Sequence, residues 1–229
     1  MSGGLTPYDI FSLAVGPARM VYAPVTVAVP KKLQDIVALV NDEGEYAVAD
    51  EWLDFGAAPE GNGASYTRGF DTESLGIEQS TGAIFTDITD VNRGFSLDIA
   101  EINPTNMAII EGTDEDPETI AKGKGTSAQE AMPLGQVSEF PSFRVALIGQ
   151  RKKDSGVVKE PDGTERGRLV CVVLNRCTIT ADDSEIQVQK GSLLSAPLQF
   201  EAFPEPGEPP KQAFGRWLFE SAGTIEAAS

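Results

Sequence analysis

Two thiols, Cys171 and Cys177, are the chain's strongest nucleophiles, and its 229 residues include no histidine. Without an imidazole there is no Ser-His-Asp triad, no Cys-His dyad and no histidine metal site. In one extended segment the two cysteines lie about 20 Å apart, at roughly 3.3 Å per residue, too far for a disulfide. They are expected as reduced thiols packed in a strand, in a protein made in a reducing cytoplasm. Carboxylates are plentiful, 35 in all, and paired carboxylates can run acid–base chemistry. No spacing here singles out a pair.

Other motifs fail on spacing. Thr113-Asp114-Glu115-Asp116 and Asp182-Asp183-Ser184-Glu185 offer oxygens to a hard cation. Both lack the alternating ligands, glycine and terminal Glu of a calcium loop. Lys122-Gly123-Lys124-Gly125-Thr126 has phosphate-loop composition. It lacks the glycine-to-lysine spacing that wraps backbone N–H groups around phosphates. Gly61-Asn62-Gly63 has no third glycine at the dinucleotide spacing and reads as a turn. No catalytic residue, cofactor or metal is expected, and the chain is not expected to be an enzyme.

Charge narrows the partners. Lys plus Arg is 18 against 35 Asp plus Glu, a net charge of −17. Residues 1–120 carry 5 basic and 21 acidic side chains, while residues 121–229 carry 13 and 14. So acidic a surface disfavours wrapping nucleic acid or attraction to anionic membranes. No apolar run approaches the length of about 20 residues that spans a bilayer. The opening MSGGLTPYDIF lacks the basic and apolar regions of a signal peptide.

The elements that would position these groups read mostly as strands. Pro17–Pro24 is a short strand bounded by prolines, which suit strand ends. Phe95, Leu97 and Ile99 alternate with polar neighbours, as do Leu198, Phe200 and Ala202, and Leu75 and Ile77 within Thr72–Glu78. Phe143, Val145 and Leu147 share one face of another strand. Leu169–Leu174 is continuously apolar, the mark of a buried strand, and Trp217-Leu218-Phe219 closes the last apolar segment. Asn103 as N-cap, Pro104 at the first turn and Gly112 as stop predict one short helix. A second is possible only over Lys31–Val40. Arg151–Arg168 reads as a hairpin with a charged tip turning at Pro161-Asp162-Gly163. Its charges suit a solubility device on an edge hairpin or a contact to an acidic protein partner. A polar insertion over about Asn41–Arg68 carries Trp52 and Phe55. These two aromatics either fold back on the core or anchor an interface. Gly112–Gly135 reads as a flexible loop and Pro204–Pro210 as a proline-rich one. The pattern predicts one mainly β domain, a sandwich or barrel with one short flanking helix and long loops.

The order of several segments carries a resemblance. Gly16-Pro17-Ala18-Arg19, Asp50-Glu51-Trp52-Leu53-Asp54-Phe55-Gly56, Leu75-Gly76-Ile77-Glu78, Phe95–Glu101, Asn106–Ile110 and Leu198–Phe203 follow one another over roughly residues 14–203. Together they resemble the major tail tube proteins of long-tailed (siphovirus-type) bacteriophages. The resemblance implies a β-sandwich or barrel subunit in hexameric rings whose inner sheets join into a continuous barrel. Rings would stack into a tube in the virion tail, formed in the host cytoplasm. The implied partners are further copies of the chain, a tape-measure protein and a tail terminator, with DNA passing through unbound and no membrane involved. A long loop early in such chains reaches the neighbouring ring. Here it corresponds to about 41–68, making Trp52, Leu53, Asp54 and Phe55 candidate ring-stacking contacts. The N-terminal arm and loop 112–135 are further candidates, and the 151–168 hairpin has no counterpart in the pattern. The alternatives are another virion ring or head protein, such as a terminator or decoration protein, and a β-sandwich module that binds sugar or protein.

Overall fold

A computed structural model of the chain describes residues 19–40, 46–56, 63–75, 85–100, 103–111, 118–120, 129–131, 140–151, 156–159, 163, 165–180 and 196–224. Its strands, in chain order, are β1 (Arg19–Pro24), β2 (Val37–Val40), β3 (Tyr46–Val48), β4 (Leu53–Asp54), β5 (Ser65–Leu75), β6 (Phe85–Ile99), β7 (Glu118–Ile120), β8 (Gln129–Ala131), β9 (Phe143–Gln150), β10 (Val157–Lys159), β11 (Glu165–Gly167), β12 (Leu169–Ile179), β13 (Ala196–Ala202), β14 (Gly215–Phe219) and β15 (Gly223–Thr224). One short helix, α1 (Pro104–Ile110), follows β6. The fold is mainly β, as the alternating pattern predicts.

The main sheet runs β4-β1-β9-β12-β13-β6-β5, with β14 also on β12. Strand β12 branches it. Val170–Leu174 pair with β14, whereas Cys177–Ile179 pair with β13. Strands β4 and β5 end the order without pairing to each other, so the sheet does not close into a barrel.

Branching lets one sheet bury two layers. Met20, Tyr22, Val145, Val172 and Leu174 point into a cluster with Phe95, Leu97, Leu198 and Phe200, so β13 and β6 fold over that face. Val21, Ala23, Ala146, Ile148, Cys171 and Val173 point the other way, against Leu33, Ile36, Val37 and Trp52. Central strands are therefore apolar on both faces, whereas β6 and β13 show the alternation of a half-buried strand. Between Leu174 and Cys177 the ladder of β12 with β9 shifts register. Such a shift swaps the faces of all later side chains. Accordingly Cys171 packs in the second cluster and Cys177 in the first.

Helix α1 starts as expected. The Asn103 side chain accepts from the Asn106 N–H at 2.8 Å, and Pro104 opens the first turn. Asn106 then donates to the Phe55 carbonyl at 3.0 Å, fastening the helix to the chain after β4. The expected stop, Gly112, lies outside the described residues. Lys31–Val40 is not a helix. Asp35 accepts from the N–H groups of Lys31 and Lys32 and closes a single 3₁₀ turn, Leu33–Asp35. The β-branched residues that follow, Ile36 and Val37, favour the strand that forms.

The interval 41–68 is not one long loop. It contains β3, β4 and the start of β5. Within 112–135 two short strands, β7 and β8, pair with each other. The rest of that interval and the N-terminal arm lie outside the described residues. The 151–168 hairpin is present as β10 and β11, with Gly163 at φ 91° in its turn. Strand β15 adds to β10 in parallel.

Candidate assembly surface

The β5–β6 ladder is the longest pairing in the fold and runs from Ser65 opposite Ser96 to Leu75 opposite Phe85. Only Gly94–Ile99 of β6 also pairs with β13. Beyond Gly94 the two strands continue as a ribbon with no third strand among the described residues. Its side chains at 70–73 and 87–90 are exposed. Successive side chains of a strand alternate faces, and partners across a ladder share one. One face continues the buried layer through Tyr66 and Phe95 to Arg68 and Arg93, Phe70 and Val91, then Thr72 and Ile88. The opposite face carries Asp71 across from Asp90 and Glu73 across from Asp87. Thr89 has no partner, because the register shifts between Asp71 and Thr72. That bulge keeps Asp87 and Asp90 on one face although they are three residues apart.

The acidic face extends into the sheet proper. Asp98 on β6 and Glu201 on β13 alternate with the buried Leu97, Ile99, Phe200 and Ala202, so they point outward. Strands β5, β6 and β13 together present six carboxylates on this face and no Lys or Arg. Like charges directly opposite each other destabilise a ladder. Two such pairs on one short ribbon are a cost that packing of the monomer does not explain.

The other face is aromatic. On β14, Trp217 and Phe219 pair with Val172 and Val170 and share their face. Their rings stack at 5.9 Å and 11°, and Tyr66 meets Trp217 edge-on at 5.7 Å. Phe219 is 62% exposed and Ile88 56%, with Phe70 and Trp217 about half exposed. The Arg68 guanidinium lies over the Phe70 ring and that of Arg151 over Phe219. The sandwich is filled at its centre and open along this margin.

The four expected contact residues separate. Trp52 and Phe55 are 2% and 1% exposed, whereas Leu53 is 49% exposed. Trp52 packs in the second cluster; Phe55 packs in the first, its ring 4.4 Å from that of Tyr22. Both fold back on the core, which corrects their reading as interface anchors. Asp54 pairs with Arg19 at 3.4 Å, and its side chain also accepts from the Gly56 N–H. Leu53 alone of the apolar three faces out, beside the exposed Asp50 and Glu51.

The basic hairpin is less free than its sequence suggests. Arg166 is buried and donates to Glu220 from both terminal guanidinium nitrogens, and Glu220 also accepts from the Leu169 N–H at 2.9 Å. Lys159 donates to Glu165 at 2.8 Å, which raises its pKa. Burial pushes the Cys171 thiol up to about 12 and the Cys177 thiol further, and it also raises Tyr22. Neither cysteine is a thiolate at neutral pH, so neither is poised for nucleophilic chemistry.

Among the described residues no group of three or more Cys, Asp or Glu is placed to hold a metal ion, and no helix is long and apolar enough to cross a membrane. No protein-family model matches this chain, and no curated protein matches it.

Proposed function

We propose that the chain is a structural virion protein that polymerises as stacked hexameric rings into a phage tail tube with an acidic channel for DNA. The observation that carries this reading is the outward face of β5, β6 and β13, to which these strands bring six carboxylates and no Lys or Arg. Facing a channel, such a surface repels phosphate and lets DNA slide without binding. The residue order that resembles the tail tube family points the same way, and β4 and β5, the terminal strands of the sheet among the described residues, offer edges for ring closure.

Negative-stain electron microscopy over a concentration series tests it. Tubes or stacked rings with a central channel are expected. Single rings that never stack would turn the reading toward a terminator-like protein. Compact monomers at every concentration would overturn it in favour of a β-sandwich binding module, which the exposed stacked pair Trp217 and Phe219 also suits.

A further inference from the structure

We infer that the open aromatic margin is a docking surface for a second copy of this chain, which fills it with the acidic corner around Leu53. This rests on the self-assembly proposed above and deepens it by naming the two surfaces that meet.

The receiving surface runs along β5 and β14. Phe70, Trp217 and Phe219 are about half exposed or more there, and Ile88 lies on the same face of the ribbon as Phe70. Its fixed charge is positive: Arg68 and Arg93 stand opposite each other on that face, and Arg151 sits over Phe219. Two arginines directly across a ladder repel each other, so the surface favours a partner that brings carboxylates. A partner that also brings an apolar knob would cover the rings.

This chain has such a corner at the other end of the same sheet. Leu53 projects from the edge strand β4, half exposed, next to the exposed carboxylates Asp50 and Glu51. Local contacts hold the corner in place. The Trp52 backbone N–H donates to the Ala49 carbonyl at 2.8 Å, the Trp52 side chain is buried, and Asp54 is held by Arg19. An apolar knob flanked by acids matches an apolar surface flanked by arginines in polarity and in sign.

The two surfaces lie on opposite terminal strands, β4 and β5. One copy's corner therefore enters the next copy's margin, and the contact repeats head to tail. Such heterologous contacts close into rings or run on as filaments.

Disulfide trapping reads this contact directly, because both native thiols are buried. The full chain carrying Leu53→Cys together with Phe70→Cys is oxidised at assembling concentration and run on a non-reducing gel. A ladder from dimers upward is expected, with no ladder from either single substitution. Dimers alone would overturn the head-to-tail contact, and dimers from Leu53→Cys by itself would assign a two-fold contact instead. Sedimentation velocity supplies the second measurement. Arg68→Glu is expected to weaken association at least tenfold, and Glu51→Arg in the same chain is expected to restore it. If tubes form and none of these variants changes them, the docking surface is wrong while the tube reading stands. If the double-cysteine chain does not cross-link and wild type does not sediment above the monomer, both fall.

Discussion

Arg144 on β9 donates to the backbone carbonyl of Asn175, at the point where β12 slips register. A register slip leaves ladder groups without their regular partners, and here an arginine supplies one. The same guanidinium donates to the carbonyls of Val27 at 2.6 Å and Val25 at 2.9 Å and to the Glu205 carboxylate at 3.2 Å. Asn175 in turn donates to the Gln212 carbonyl at 2.8 Å. One side chain thus ties the end of β1, the bulge of β12 and the proline-rich loop after β13.

Arg144→Met should therefore destabilise the fold strongly. It leaves three backbone carbonyls and a largely buried carboxylate without their donor, a loss of about 3–5 kcal/mol for a broken buried pair. Glu205→Gln keeps an acceptor and should cost less, about 1–2 kcal/mol. Urea unfolding of both variants checks the order. Equal, small effects would mean that the network contributes little.

Trp52→Ala should act as a core lesion, costing about 3–5 kcal/mol. Leu53→Ser, one residue away, should change monomer stability by no more than about 0.5 kcal/mol. Thermal melts at a concentration where the chain is monomeric separate the two. A mild Trp52→Ala would contradict its burial.

Stability should fall on the alkaline side. The folded thiols titrate above their ordinary value, Cys171 near 12 against 9.0. From about pH 9 upward the unfolded chain releases thiol protons that the folded chain retains, so each pH unit removes about 1.4 kcal/mol per thiol. The thiol contribution is fully present below pH 9. Tyr22, raised by burial from 10.0, adds the same sign above pH 10. Urea midpoints between pH 7 and 11 test this, and Cys171→Ala should flatten the slope.

Two glycines of the β5–β6 pair should behave oppositely. A Cβ on Gly94 would sit 2.5 Å from the Phe200 carbonyl oxygen, whereas one on Gly69 would meet only the Asn92 Cβ at 3.6 Å. Gly94→Ala should cost about 1–3 kcal/mol by forcing β6 away from β13. Gly69→Ala should be neutral or slightly stabilising, because it removes freedom from the unfolded chain. Differential scanning calorimetry distinguishes them.

Much of this fold is legible in sequence where one periodicity dominates. Phe95, Leu97 and Ile99 alternate and are buried, and Asn103-Pro104 opens a helix as capping chemistry requires. Legibility fails where the pattern is interrupted. Asp87 and Asp90 are three residues apart, so they do not read as one strand face until the bulge at Thr89 is known. Trp52 and Phe55 sit among acids and glycines, a local composition that says loop, yet tertiary packing buries both. The charges of 151–168 read as a free basic tip, but Glu220, over 50 residues later, neutralises Arg166 inside the protein. The pairing of β4 with β1 and of β14 with β12 involves residues far apart in the chain, which no local pattern records.

The face swap in β12 also fits the protein with two separate clocks. Cys171 belongs to the layer beneath Trp52, and Cys177 to the layer shared with Phe95 and Phe200. A thiol reagent can reach each sulfur only when its own layer parts. The order in which the two positions become labelled in native buffer therefore reports which half of the sandwich breathes first, with no introduced probe.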